Sequence, residues 1–193
     1  MRGLSHPLRP LRDPLHPGGR GREPARGHPG GLISRLTTIG VYGFTREQFL
    51  DTLREQDVRL LVDVRQRRGV RGPQYAWANS KRLQAALADA GVEYRHHPEL
   101  APTTELRQLQ YVEDDRQGVG KRSRAELAPA YRERYTAEIL DRADLDALVA
   151  ELPDAGAGAL FCVERDPEAC HRSLIADRIA AEYGIPVTHL RPD

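Results

Sequence analysis

From residue 36 onward, apolar residues fall into short continuous runs that are separated by longer segments with helical spacing. Short apolar runs bounded by turn residues are typical of strands in a parallel sheet, because helices cover both faces of such a sheet. The runs predict five strands, at residues 36–40, 58–64, 92–95, 158–163 and 186–190.

The segments between the predicted strands carry the signals of helices. Thr45 is followed three residues later by Gln48, a spacing that predicts a capping box at the start of a helix. Ser123 and Glu126 repeat that spacing and predict a second helix start. Residues 98–152 are polar with helical periodicity, so we predict a helical insertion there.

Alternation of strands and helices favours a sheet whose strands are joined by right-handed crossovers. We therefore predict a single α/β domain over residues 34–193. Its architecture would be Rossmann-like, with a mostly parallel sheet flanked by helices.

Residues 1–33 differ from the rest and are rich in arginine, proline and glycine. Residues 1–31 contain six arginines and two acidic residues, a charge of +4; the whole chain carries +1, so the remainder carries −3. Such a segment buries too little apolar surface to offset the entropy of ordering, which predicts a disordered tail. It is either a solvated extension or a basic arm for nucleic acid or acidic lipid.

The composition, 39% hydrophobic and 30% charged, is that of a globular protein. No apolar run reaches the roughly 18 residues of a membrane span, and no secretory h-region follows Met1. We therefore predict a cytoplasmic protein without a membrane partner. Because the net charge is near neutral, nucleic acid would bind only at a local basic patch.

Ligands of parallel sheets bind at the carboxyl ends of the strands, so the residues that follow each predicted strand are site candidates. These residues are Tyr42, Asp63, Arg65, Glu99, Glu164, Cys170, His171 and Arg172.

Two of the carboxylates, Asp63 and Glu164, could divide the roles of acid and base, or of nucleophile and acid, while His171 orients a group. Arg65 and Arg172, with Tyr42 and Glu99, would hold an anionic ligand. The same residue types equally allow two structural ion pairs, Asp63–Arg65 and Glu164–Arg172.

The two cysteines also have more than one interpretation. Cys170 precedes a predicted helix and is either a low-pKa thiolate or a small buried residue. Cys162, Cys170, His171 and His96 could together bind zinc, but they lack the C-x₂-C and paired-histidine spacings of zinc sites. No metal or cofactor is therefore predicted.

The loop after the second strand carries the strongest nucleic-acid signal. Its arginines could neutralise phosphate while its aromatic rings stack on bases. The candidates are Arg67, Arg68, Arg71, Tyr75 and Trp77. The alternative is a solvated loop whose tryptophan is anchored in the core.

Five motifs, in this order and spacing, resemble the family called domain of unknown function 488. They are Thr-Ile-Gly at 38–40, Leu-Val-Asp-Val-Arg at 61–65, Pro-Glu-Leu at 98–100, Cys-Val-Glu-Arg-Asp-Pro at 162–167 and Cys-His-Arg at 170–172. The resemblance spans about residues 36–190, and the Cys-x-Glu…Cys-His-Arg element is its specific part. The family's name gives no activity, so the resemblance implies the fold and the site.

The chain departs from the family pattern in two loops. Val41-Tyr42 stands where polar residues are common, and Gln66-Arg67-Arg68 stands where proline usually comes early. Both loops would line the cleft, so we expect substrate preference to differ. A weaker likeness to rhodanese-type sulfurtransferases lies in the Asp-Val-Arg strand end and the cysteine loop, which here is longer and lacks their glycines.

Three functions follow from these residues. The first is an enzyme, most simply a hydrolase, that acts on a nucleotide or nucleic acid by carboxylate chemistry, with hydrolytic or glycosidic bond cleavage. The second is a rhodanese-like thiol enzyme that uses Cys170. The third is a non-catalytic regulatory module that binds an anion in the same cleft.

Overall fold

The computed structural model describes residues 35–192, and the predicted tail lies outside the described residues. Within this range the sheet has five strands in the order β3-β2-β4-β1-β5, and every neighbouring pair is parallel. The strands are β1 (Arg35–Ile39), β2 (Val58–Asp63), β3 (Glu93–His96), β4 (Ala157–Phe161) and β5 (Val187–His189). The predicted α/β class and parallel sheet are confirmed.

Helices cover both faces of this sheet. They are α1 (Arg46–Glu55), α2 (Ser80–Asp89), α3 (Thr104–Gln117), α4 (Pro129–Glu138), α5 (Leu145–Ala150) and α6 (His171–Tyr183). Apolar side chains of α1 and α2 belong to one buried layer, and those of α3 to α6 belong to the other. None of the described helices is long and apolar enough to cross a membrane.

The two predicted capping boxes had different outcomes. The one at α1 is present, since Thr45 Oγ1 accepts from Gln48 N at 3.2 Å and Gln48 Oε1 accepts from Thr45 N at 3.0 Å. The second prediction was wrong, because Ser123 Oγ instead accepts from Gly120 N in a turn. Helix α4 begins only at Pro129, whose fixed φ suits a first helical position.

Strand β4 is central, with β2 on one side and β1 on the other. The connection from β1 to β2 passes β4 on the α1 face, whereas the connection from β4 to β5 passes β1 on the α6 face. The chain therefore leaves β1 towards β2 at one side of the sheet, and leaves the neighbouring strand β4 towards β5 at the other side. This is the arrangement that opens a ligand cleft at the carboxyl ends of the strands.

The loops that follow β1 and β4 lie in direct contact. Val41 N and Tyr42 N both donate to Val163 O, at 3.1 and 3.0 Å. Gly40 makes this approach possible, because a Cβ at that position would lie 1.9 Å from Glu164 O. The absence of a side chain at residue 40 therefore sets the distance between the two loops.

We expect Gly40→Ala to lower the free energy of unfolding by about 2 kcal/mol or more, because the added methyl meets backbone that cannot rotate away. Urea unfolding measures the change. Gly120→Ala is the matched control, since the nearest atom to its Cβ would be Ser123 Oγ at 3.8 Å. Equal stability of the two variants would contradict the steric explanation.

Candidate functional site

A cavity of about 670 Å³ opens at the carboxyl edge of the sheet. It is lined by Tyr42 after β1, by residues 65–67 and 69–71 after β2, and by Glu164 after β4. Lys121 and Arg124, between α3 and α4, line the opposite side. The size is that of a pocket for a small molecule.

Two cysteines, one histidine and one carboxylate meet at the base of this cavity. Cys162 Sγ lies 3.4 Å and Cys170 Sγ 3.2 Å from Glu164 Oε2. Both sulfurs lie 3.9 Å from His171 Nδ1. We call Cys162, Cys170 and His171 the cysteine–histidine cluster; all three are buried and line the cavity.

Three elements position the cluster. Cys162 follows β4, where its N–H donates to Ile39 O of β1 at 3.2 Å. Cys170 is the N-cap of α6, and His171 is the first residue of that helix. The imidazole Nε2 lies 3.1 Å from Val64 O and must donate to it, since a carbonyl only accepts. Nδ1 is thereby turned towards the two sulfurs.

The pKa values of the two thiols shift in opposite directions. Although burial opposes ionisation, the hydrogen bond from Cys162 and the charges of Arg172 and His171 hold the pKa of Cys170 well below its ordinary value. The hydrogen bond to Cys170 and burial raise the pKa of Cys162 well above it. Burial opposes protonation of His171, but the charge of Cys170 raises the pKa of the imidazole. Cys170 is thus the more acidic thiol of the pair.

Glu164 is held by cations from the helical insertion. Its Oε1 lies 3.3 Å from Arg124 Nη2 and 3.5 Å from Lys121 Nζ. Arg124 also donates to Asp114 at 3.0 Å, and Asp114 accepts from Gln110 at 2.8 Å. Arg124 Nε is buried and has no hydrogen-bond partner among the described residues.

Sequence reasoning missed these insertion residues, although one signal was available. Leu106, Gln110 and Asp114 recur every four residues, so they share one face of α3. All three are buried. Two polar residues on an apolar helix face predict a buried hydrogen-bond network.

Asp63 and Arg65 form a buried ion pair, one of the two alternatives that the sequence left open. Arg65 Nε and Nη2 donate to the two oxygens of Asp63 at 2.8 and 2.7 Å, and Nη1 donates to Ala78 O. Tyr94 also donates to Asp63 at 2.7 Å, and burial together with this bond raises the pKa of Tyr94 to about 12. With 0% and 2% exposure of the two side chains, we assign the pair a structural role.

Arg172 and Glu99 lie outside the lining of the cavity, as does Asp63. Arg172 is fully buried and donates to the carbonyls of Glu164 and Arg165, at 2.6 and 2.8 Å. Arg172 therefore contacts the backbone of Glu164, and the Glu164 carboxylate pairs with Arg124. The Glu164–Arg172 ion pair that the sequence allowed is not formed. Glu99 lies 2.6 Å from His97 Nδ1 on the surface.

The nucleic-acid candidates divide into two groups. Arg67 and Arg71 line the cavity, and the ring of Tyr75 lies 5.1 Å from that of Tyr42, which lines it. Trp77 packs against the core residue Phe49 with ring centroids 4.9 Å apart. This is the alternative in which the tryptophan is anchored in the core. Arg68 is outside the lining, and its carbonyl accepts from Ser80 N.

Asp63→Asn would leave the guanidinium of Arg65 buried without a countercharge. We expect it to lower the free energy of unfolding by about 3–5 kcal/mol. Asp51→Asn breaks an ion pair whose side chains are 58% and 69% exposed, and should cost no more than about 0.5 kcal/mol. Chemical denaturation of both variants tests this, and similar small losses would show that the buried pair contributes little.

Comparison with known proteins supports the resemblance seen in the motifs. No match to the chain was found among curated proteins or among solved structures. A family model, described as Domain of unknown function DUF488, matches residues 45–179. This match includes the cysteine–histidine cluster, Glu164 and the ion pair at Asp63 and Arg65. Because it covers more than half of the sequence, the chain belongs to the family Domain of unknown function DUF488.

Proposed function

We propose that the protein is a hydrolase that acts on an anionic substrate of nucleotide class bound in the cavity. The observation that carries the proposal is the charge of the lining, which among the described residues has seven basic residues and one acidic residue, Glu164. The basic residues are Arg65, Arg67, Arg71, Arg107, Lys121, Arg122 and Arg124. Residues 32–193 carry a net charge of −3, so the lining of the cavity is positive although the domain as a whole is negative.

Four of these arginines have no countercharge among the described residues. Arg65 and Arg124 are committed to buried carboxylates. Among the described residues, no carboxylate pairs with the others, which are Arg67, Arg71, Arg107 and Arg122. Unpaired guanidinium groups in a concave site focus positive potential and bind phosphate in a bidentate manner.

An aromatic surface beside these arginines suits a base. The guanidinium of Arg122 lies 4.9 Å from the ring centroid of Tyr42 and 5.6 Å from that of Tyr75. Aromatic rings and guanidinium planes both stack on bases. The cavity volume of about 670 Å³ favours a nucleotide or one unpaired base of a strand.

Glu164 is the group best placed for hydrolysis, because it is the only acidic residue among the described residues that line the cavity. Its carboxylate can accept a proton from an attacking water and return it to the leaving group. The water oxygen then bonds to the substrate atom that the leaving group departs from. Arg124 and Lys121 orient the carboxylate through Oε1.

A second candidate function is a thiol enzyme. Cys170 Sγ reaches the cavity and lies 3.9 Å from His171 Nδ1, an arrangement of nucleophile and base. This mechanism requires a covalent adduct on Cys170, which the carboxylate mechanism does not form.

Binding can be measured on the full chain by calorimetric titration with the four ribonucleoside 5′-monophosphates. We expect Arg67→Ala/Arg71→Ala/Arg122→Ala to weaken the tightest complex at least tenfold and to flatten its salt dependence, because fewer phosphate contacts release fewer counterions. The control is Arg54→Ala/Arg59→Ala/Arg95→Ala, three exposed arginines outside the cavity. Equal weakening by both triple variants would show that binding is not in the cavity.

The two mechanisms can be separated once a cleaved nucleotide is found by chromatography. We expect Glu164→Gln to lower kcat by about 10²-fold or more with little change in KM, as for loss of a general base. Glu168→Gln, an exposed carboxylate of the same loop, should retain full kcat. A substrate-derived mass on Cys170 after acid quenching would instead favour the thiol enzyme.

A further inference from the structure

We propose that Cys162, Cys170 and His171 form a site for a divalent metal ion of the zinc class at the base of the cavity. Their ligand atoms, two Sγ and Nδ1, all lie within 4.8 Å of one another. Two sulfurs and one imidazole nitrogen are the donors that zinc accepts, whereas magnesium and calcium prefer oxygen. The choice of metal follows from this donor set.

The distances match those around a tetrahedral ion. Zinc bonds of about 2.3 Å to sulfur and 2.0–2.1 Å to nitrogen place neighbouring donors about 3.5–3.8 Å apart. Both sulfurs lie 3.9 Å from His171 Nδ1. The sulfur-to-nitrogen distances thus exceed those of a tetrahedral site by a few tenths of an ångström, and the two sulfurs lie within 4.8 Å of one another.

The surroundings of His171 also suit a ligand. A histidine that binds metal usually donates its other ring N–H to a carbonyl or carboxylate, which fixes the tautomer. Here Nε2 donates to Val64 O, and the Nδ1 lone pair faces the sulfurs. This backbone contact fixes the position of the ring and leaves Nδ1 on the side of the two sulfurs.

Glu164 adjoins the fourth position of the site. Its Oε2 lies 3.4 Å from the sulfur of Cys162 and 3.2 Å from that of Cys170. The carboxylate nevertheless does not belong to the set of residues whose ligand atoms all lie within 4.8 Å of one another. Three protein ligands with an open position towards a cavity are typical of catalytic zinc, whereas structural zinc has four protein ligands. The existence of the metal site does not depend on the proposed function. Its use in hydrolysis, in which the metal would polarise a water molecule next to Glu164, rests on the proposed function.

The test uses the full chain, produced in zinc-supplemented medium and purified with a non-thiol reductant and no chelator. Elemental analysis should find about one zinc per chain. After the metal is removed by a chelator, Co²⁺ should bind with the visible bands of a tetrahedral site and a sulfur-to-cobalt charge-transfer band. Absence of bound zinc, or a Co²⁺ spectrum without the charge-transfer band, would overturn the proposal.

Variants show whether the named residues are the ligands. We expect Cys162→Ser, Cys170→Ser and His171→Ala each to weaken Co²⁺ binding more than about 100-fold, since even loss of an outer contact costs 10- to 100-fold. His97→Gln, a surface histidine outside the cavity, and Glu164→Gln should retain the charge-transfer band. Retention of full affinity in the cysteine variants would contradict the assignment.

Thiol protection gives a second measurement that needs no variant. Bound zinc should slow the reaction of both cysteines with a chromogenic disulfide, and chelation should restore the rate. Identical rates with and without zinc would count against the site. The triple variant at Arg67, Arg71 and Arg122 should bind zinc normally, so failure of the nucleotide experiment and failure of the metal experiment are distinguishable.

Discussion

The guanidinium of Arg172 is fully buried and bonds to three oxygens outside its own helix. A buried charge is costly unless its hydrogen bonds are satisfied, so these oxygens are held in place. One of them is Glu164 O, the same atom that leaves no room for a Cβ at Gly40. A second is Thr38 Oγ1 on β1. The contact therefore joins β1, the loop after β4 and the start of α6, and so determines where Glu164, Cys170 and His171 meet.

The central position of β4 explains why this meeting point is polar and yet buried. Loops from β2 and β1 lie on either side of it, and the insertion covers it through Arg124. Buried polar groups need partners, and here they form a chain from Glu164 to Arg124, Asp114 and Gln110. Gln110 closes the chain by accepting from the N–H of Ala128. The insertion is thus a structural part of the site as well as a cover.

Much of this arrangement could be predicted from sequence, and the limits have physical causes. Apolar runs identified the strands because burial on both faces leaves a local pattern, and the carboxyl-edge rule then selected Glu164, Cys170 and His171. The partners of a charged side chain depend on contacts distant in sequence, so the pairing of Glu164 with Arg124 left no local pattern. For the same reason, sequence alone could not decide whether Asp63 and Arg65 paired with each other or faced a ligand. The two cysteines lie eight residues apart along the chain, a spacing that only the fold converts into proximity.

Burial separates two populations of arginine that look alike in the sequence. Arg65 and Arg172 are buried with their donors bonded to protein oxygens, so changing them would alter the fold. Arg67, Arg71 and Arg122 are exposed at the cavity and have no carboxylate partners among the described residues, so under the proposed function changing them would alter what binds. Arg172 bonds to carbonyls of the loop after β4, and His171 bonds to the carbonyl of Val64, next to Arg65. In the proposed function these contacts hold the groups for chemistry, and recognition depends on the second population of arginines. The proposal therefore implies that the loops after β1 and β2 can vary in sequence and change the substrate, while the geometry at Cys162, Cys170 and His171 stays the same.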